Sequence, residues 1–281
     1  MQHGPRILRR PVTRVSSPLD MLLKLLKNFL PRGATPADAL TEAAQAKLRQ
    51  EHNRLAQLAL PGPNYLHALA AIHRQLKPRT YLEIGVANGA TLELADPATR
   101  ALGVDPAPQP RNPPGPNARI YALESDDFFA QIDVARELGG LPVDLAFIDG
   151  MHLFEFALRD FIAIERLAAR ASTVLVHDTY PLNCETATRE RTTHFWSGDI
   201  WRLVLVLKKY RPDLVIHTIA AMPTGLTVIR NLDPASRVLA EREDAIVEEF
   251  LALDYAALDA GKPAALNLVA NEPQRIHALF E

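Results

Sequence analysis

The stretch Thr80-Tyr-Leu-Glu-Ile-Gly-Val-Ala-Asn-Gly-Ala-Thr91 constrains the fold more than any other part of the chain. A short β-rich run ends in an acid, Glu83, and a turn with glycine at 85 and 89 opens what reads as a helix. Glycine at both places lets the backbone bend tightly and lets a ligand approach closer than a Cβ would permit. Twenty residues after Gly85, the run Ala101-Leu-Gly-Val-Asp105 ends in a second acid. A carboxylate at the end of the second strand is where doubly wound α/β folds hold ribose hydroxyls. Together these features describe a nucleoside-binding pocket.

The dinucleotide fingerprint G-x-G-x-x-G requires glycine where this chain has Ala87. Glu83 would be a poor neighbour for a pyrophosphate, and it suits a ligand carrying an ammonium group. The segment resembles motif I of the class I S-adenosylmethionine-dependent methyltransferases. The resemblance implies that Glu83, Gly85, Asn88 and Gly89 flank the methionyl part of that cofactor and that Asp105 binds its ribose. A plain βα turn is the simpler alternative.

The chain alternates from there. Strands are expected at Thr80 to Ile84, Ala101 to Asp105, Arg119 to Ala122, Val143 to Ile148 and Thr173 to His177, with helical stretches between. Alternation of this kind implies a parallel sheet covered on both faces. Leu214 to Thr218 and Leu226 to Arg230 are joined by Met222-Pro-Thr-Gly225 and read as an antiparallel hairpin. The expected fold is α/β: a Rossmann-like, doubly wound, mainly parallel seven-stranded sheet with an antiparallel last strand and an N-terminal helical extension. Three segments follow: a basic and helical extension over 1–60, the cofactor-binding domain over 61–232, and a C-terminal helical extension over 233–281. The acids Glu241, Glu243, Asp244, Glu248 and Glu249 of the last segment suit a solvated helix face.

Composition narrows the partners. A net charge of −2 gives no general pull toward nucleic acid, so no DNA partner is expected. The single cysteine, Cys184, excludes an intrachain disulfide framework and cysteine-rich zinc sites. Met21 to Leu30 carries Lys24 and Lys27 and is too short to span a bilayer, so stable membrane insertion is not expected. Arg6, Arg9, Arg10 and Arg14 precede leucines at helical spacing over Leu19 to Leu30. That pattern fits a targeting or membrane-surface helix; packing on the chain's own domain or in a homodimer is the favoured reading. No signal-peptide cleavage pattern is evident, so the default location is cytoplasmic.

The acceptor's chemistry should lie at the carboxyl ends of the fourth and fifth strands, where open α/β sheets place ligands. The fourth ends in Phe147-Ile-Asp-Gly-Met-His-Leu-Phe-Glu155 and the fifth in Val176-His-Asp-Thr-Tyr-Pro181. Asp149, His152, His177 and Asp178 should therefore converge on one crevice. Carboxylates beside imidazole can bind a hard divalent cation or hold a histidine as general base. His152, expected to open a helix, is the better base, unless it merely caps that helix.

The D-G-x-H-x-[YF]-E segment with a later H-D-T resembles a methyltransferase branch associated with small-molecule and sugar O-methylation. More distantly it is similar to metal-dependent catechol-type O-methyltransferases. That likeness implies Asp149 and Asp178 as magnesium ligands and His152 as base, although Thr179 stands where an asparagine ligand is found there. Ser125 and Asp126 follow strand three, near the adenine site of such folds; Asp126 equally suits the first turn of a helix. Arg191 and Trp196, with His177, are expected to meet a small-molecule or sugar acceptor, since long connections on rigid scaffolds carry recognition. Two other readings stand: a macromolecular methyltransferase acting on RNA or protein, and a cofactor-binding, hydroxylase-like or non-catalytic relative.

Overall fold

The strand sequences explain where the layers lie. Alternate residues of a strand point to opposite faces. Leu82, Ile84, Leu102, Val104, Ala146, Ile148, Val174 and Val176 bury on one side, and Tyr81, Ala101, Leu145, Phe147, Leu175 and Val228 on the other. Strands apolar on both faces belong in the middle of a covered parallel sheet.

The computed structural model describes residues 36–281, with side chains from residue 41. The helical and basic segment expected over residues 6–30 lies outside the described residues. In chain order the helices and strands are α1 (Pro36–Ala59), α2 (Tyr65–Leu76), β1 (Thr80–Ile84), β2 (Arg100–Val104), β3 (Ala118–Tyr121), α3 (Ser125–Gln131), α4 (Val134–Glu137), β4 (Val143–Ile148), α5 (Phe154–Leu167) and β5 (Ala168–His177). There follow α6 (Trp201–Tyr210), β6 (Val215–Ile219), β7 (Leu226–Arg230), α7 (Glu243–Leu251), α8 (Ala256–Asp259), α9 (Lys262–Ala265), β8 (Leu268–Val269) and α10 (Pro273–Ala278). Residues Arg49–Glu281 form one compact unit. No helix among the described residues is long and apolar enough to cross a membrane.

The strand order is β3-β2-β1-β4-β5-β7-β6-β8. β1 to β5 are parallel, and β7 runs antiparallel to both β5 and β6. The chain steps outward from β1 to β3 and then returns to the other side of β1 as β4. That reversal leaves a crevice at the carboxyl ends of β1 and β4, where such sheets bind ligands.

Three expectations need correction. The sheet has eight strands, not seven, because Leu268–Val269 pairs in parallel with β6; a two-residue strand leaves no periodicity to read. The Gly89 turn opens only a 3-10 turn, Leu92–Leu94, because the Asp96-Pro97 turn follows at once. The helix after β4 begins at Phe154 rather than at His152, whose φ of +59° breaks helical geometry.

Two local devices hold the crevice walls. The Asn64 side chain caps α2 by accepting from the His67 N–H at 3.3 Å, and the Tyr65 N–H donates to the Met222 carbonyl at 2.9 Å. At the other wall, buried Lys262 donates from Nζ to the Pro181 carbonyl at 2.9 Å and to the Tyr255 hydroxyl at 2.8 Å. The C-terminal segment is thereby fastened to the connection that follows β5.

Candidate active site

Gly85 follows the last residue of β1 with φ +92°. A Cβ there would sit 2.0 Å from the Asp149 carbonyl oxygen, so only glycine lets the ends of β1 and β4 touch. Ala87 and Gly89 also have positive φ, +44° and +81°. Asp105 holds this loop: one carboxylate oxygen accepts from the Ala87 N–H and the other from the Ala107 N–H, both at 2.8 Å. Each oxygen keeps a second lone pair for a ligand. Asn88 turns its Oδ1 back to the Ala90 N–H at 3.1 Å.

Gly85, Asn88 and Asp105 line a cavity of about 600 Å³. Ser125, Asp126, Asp149, His152, His177, Asp178, Arg191 and Trp196 line the same space. Glu83 does not line it. It shares the Tyr81 face of β1, fully buried, and its two oxygens accept from the Tyr81 and Thr91 hydroxyls, each at 2.7 Å. Burial pushes its carboxyl up to about 8, against the pull of those two donors. Gly89 lies in the turn outside the lining.

At the ends of β4 and β5, Asp149, His152, His177 and Asp178 meet in one network, as their strand-end positions predict. His152 Nε2 lies 3.2 Å from Asp149 Oδ1 and 3.0 Å from Asp178 Oδ2. His177 Nδ1 lies 3.2 Å from those same two oxygens. The Thr224 hydroxyl donates to the other oxygen of Asp178. Burial alone would lower both imidazoles, but the two carboxylates outweigh it, lifting His152 to about 9 and His177 to about 10. Burial likewise opposes ionisation of Asp149, but the histidines win and hold its carboxyl well below its usual range. His152 Nδ1 faces the Trp196 carbonyl at 3.3 Å, so both of its nitrogens meet acceptors, as an imidazolium requires.

Aromatic rings enclose the network. The Tyr65 ring lies 3.9 Å from the His177 ring, and Trp196 stacks on His152 at 5.1 Å. The Arg191 guanidinium sits 6.0 Å from the Trp196 ring, and His194 and Phe195 line the wall beside it. Residues 178–200 form a strap tied to the core. Asp199, wholly buried, caps α5 by accepting from the Phe154 N–H at 2.8 Å, while Arg189 bridges Asp199 and Glu155 at 2.6 and 2.5 Å.

Asp126 lines the cavity but is gripped by Arg159, with contacts of 2.8 to 3.0 Å. Sequence reasoning overlooked Tyr65, Thr224 and Asp160. Tyr65 precedes the first strand and Thr224 sits in a hairpin turn, so neither carries a local signal. Asp160 did leave one: it lies four residues after Phe156, on the same face of α5, and both line the cavity.

A divalent cation fits this donor set. Asp149, His152 and Asp178 each offer a ligand atom, and those atoms lie within 4.8 Å of one another. Thr179 takes no part: its Oγ1 accepts from the Thr227 hydroxyl at 2.7 Å in the core.

Residues 82–179 match the family described as a methyltransferase domain. That span runs from β1 through β5 and takes in the Gly85 loop, Asp105 and the histidine–aspartate network. By that match the span is a methyltransferase domain. Among solved structures it is similar to the O-methyltransferase TomG of Streptomyces achromogenes, in complex with S-adenosylmethionine, at 16% identity over 76% of this chain and 96% of that one, TM-score 0.46. It is also similar to an S-adenosylhomocysteine-bound methyltransferase of Podospora anserina, at 15% identity over 73% and 98% of the two chains, TM-score 0.48. No curated protein matches the chain.

Proposed function

We propose that this domain moves the methyl group of S-adenosylmethionine to a hydroxyl oxygen of a small molecule or sugar. The observation that carries the reading is one cavity that joins the Gly85–Asp105 loop to the His152–Asp149–Asp178 network beneath Tyr65 and Trp196. Methyl transfer from a sulfonium is an in-line displacement, so the protein's main task is to align acceptor oxygen, methyl carbon and sulfur. The C–S bond breaks as the O–C bond forms, and the hydroxyl proton must leave.

In this reading Gly85, Asn88 and Asp105 hold the cofactor, Asp105 through its free lone pairs to the ribose. His152, an imidazolium below about pH 9, takes the hydroxyl proton once it has shed its own, and Asp149 and Asp178 stabilise the imidazolium that results. His177 orients both carboxylates. Arg191 and Trp196 bind the acceptor, the tryptophan by stacking and the guanidinium by charge. An enclosed aromatic wall suits a small acceptor better than a polymer. The reading includes a cytoplasmic location and no DNA partner, in keeping with the net charge of −2.

A magnesium-like cation would be held by Asp149, Asp178 and His152, and would supply Lewis acidity that lowers the acceptor hydroxyl's pKa. His152 cannot be ligand and base at once; with Asp149 and Asp178 alone as ligands it stays free to act as base. The test is formation of S-adenosylhomocysteine with sugar, phenol and macrolide acceptors, with magnesium or with chelator. Turnover on at least one small hydroxylated acceptor is expected; turnover only with RNA or protein would refute the reading. Chelator-insensitive turnover would reject the metal role of Asp149 and Asp178 and leave His152 as base, and chelator-sensitive turnover would support that metal role.

A further inference from the structure

Among the described residues, Arg191 is the one arginine or lysine that lines the cavity, against six acids. Its one charge or ring partner there is the Trp196 ring, 6.0 Å away, and no carboxylate pairs with it. Arg189, two residues earlier in the same strap, is by contrast committed to Glu155 at 2.5 Å and to Asp199 at 2.6 Å. One strap arginine holds the fold, and the other stands exposed at the cavity. A guanidinium carries N–H donors in a fork that matches the two oxygens of a carboxylate.

The remaining charges fix where a ligand's anion can sit. The lining acids repel it from the rest of the cavity. The two imidazoles of the histidine–aspartate network are matched by two carboxylates, so they add no net pull. A negative group therefore has one favourable end, beneath Arg191. Trp196 spans the distance from there to His152: its ring stacks on the imidazole at 5.1 Å and lies 6.0 Å from Arg191 Cζ. Phe156, Phe195 and Met151, the last 49% exposed, line the cavity with it. A ligand laid along this wall is flat and apolar in its middle.

We infer that the acceptor is an aromatic hydroxy acid, with its ring against Trp196, its hydroxyl at His152 and its carboxylate in the fork of Arg191. The inference rests on the methyl-transfer reading above and narrows its acceptor class. The cofactor's own carboxylate is the competing partner. It belongs to the methionyl part at the Gly85–Asn88 loop after β1, whereas Arg191 stands on the strap after β5, and β4 lies between those strands.

Calorimetry on the full chain loaded with S-adenosylhomocysteine tests it with 3- and 4-hydroxybenzoate and the two matching hydroxybenzamides. At least one carboxylate should bind about tenfold or more tightly than its amide, the worth of one hydrogen bond to a charged group. Arg191→Gln should erase that preference while affinity for S-adenosylhomocysteine stays at the wild-type level, which also shows that the variant folds. Amides that bind as tightly as the carboxylates, binding by neither, or a preference that survives Arg191→Gln would each overturn the assignment. So would an Arg191→Gln protein with weakened affinity for S-adenosylhomocysteine, since the guanidinium would then serve the cofactor's carboxylate. If the wild type binds no S-adenosylhomocysteine, the cofactor reading itself fails, a result distinct from all of these.

Discussion

Gly198 lies against the backbone of His152: a Cβ built on it would stand 1.8 Å from the His152 carbonyl oxygen. The glycine has φ +62°, and the Asp199 N–H that follows donates to the same carbonyl at 3.3 Å. The strap thus sets the backbone of the proposed base, itself at φ +59°. Gly198→Ala should cost about 1–3 kcal/mol in stability from backbone strain alone. It should also lower turnover more than cofactor affinity; calorimetric unfolding and steady-state kinetics check both.

His152→Ala should reduce turnover about 10²- to 10⁴-fold, the usual worth of a positioned base. Affinity for S-adenosylhomocysteine should stay close to wild type, because the cofactor loop is built from β1 and β2 residues. Binding and turnover measured on one preparation separate the two effects, and unchanged turnover would remove His152 from the chemistry.

Asp105→Ala removes an acceptor of two backbone N–H groups together with the proposed ribose contact. Cofactor affinity should fall about 10- to 100-fold, as expected for losing charged hydrogen bonds worth about 1.5–3 kcal/mol. Saturating cofactor should restore most of the turnover. An unaltered affinity would place the ribose elsewhere.

Much of this site is legible in the sequence, and the reason is geometric. Gly85, Asp105, Asp149, His177 and Asp178 each sit at or just past a strand's carboxyl end, so parallel register brings them together once the strands are recognised. Tyr65 reaches the cavity from the helix before the sheet, and Thr224 from a hairpin turn, so their contacts are tertiary only. The Glu83 side chain shows the limit of motif reading. Its place in the motif suits a ligand contact, but strand alternation turns it to the Tyr81 side, where two hydroxyls claim it.

That position gives a pH signature. In the fold the Glu83 carboxyl stays protonated up to about pH 8, whereas an ordinary glutamate ionises above 4.5. The folded state therefore binds more protons than the unfolded chain between those values, so stability declines as pH rises through that window. The slope from this one group is at most about 1.4 kcal/mol per pH unit. Glu83→Gln, which cannot ionise, should flatten that decline and gain stability relative to wild type above pH 8. Denaturant titrations at pH 5, 7 and 9 would show it; parallel curves for the two proteins would refute it.

The ammonium of Lys262, clasped by the Pro181 and Leu182 carbonyls, moors the tail to the connection that carries the aromatic wall. Trimming the protein after Leu232 would strip an outer strand from the sheet and unmoor the peptide arch above the imidazoles. The shortened product should come out of expression unfolded or inert, however complete its nucleoside loop.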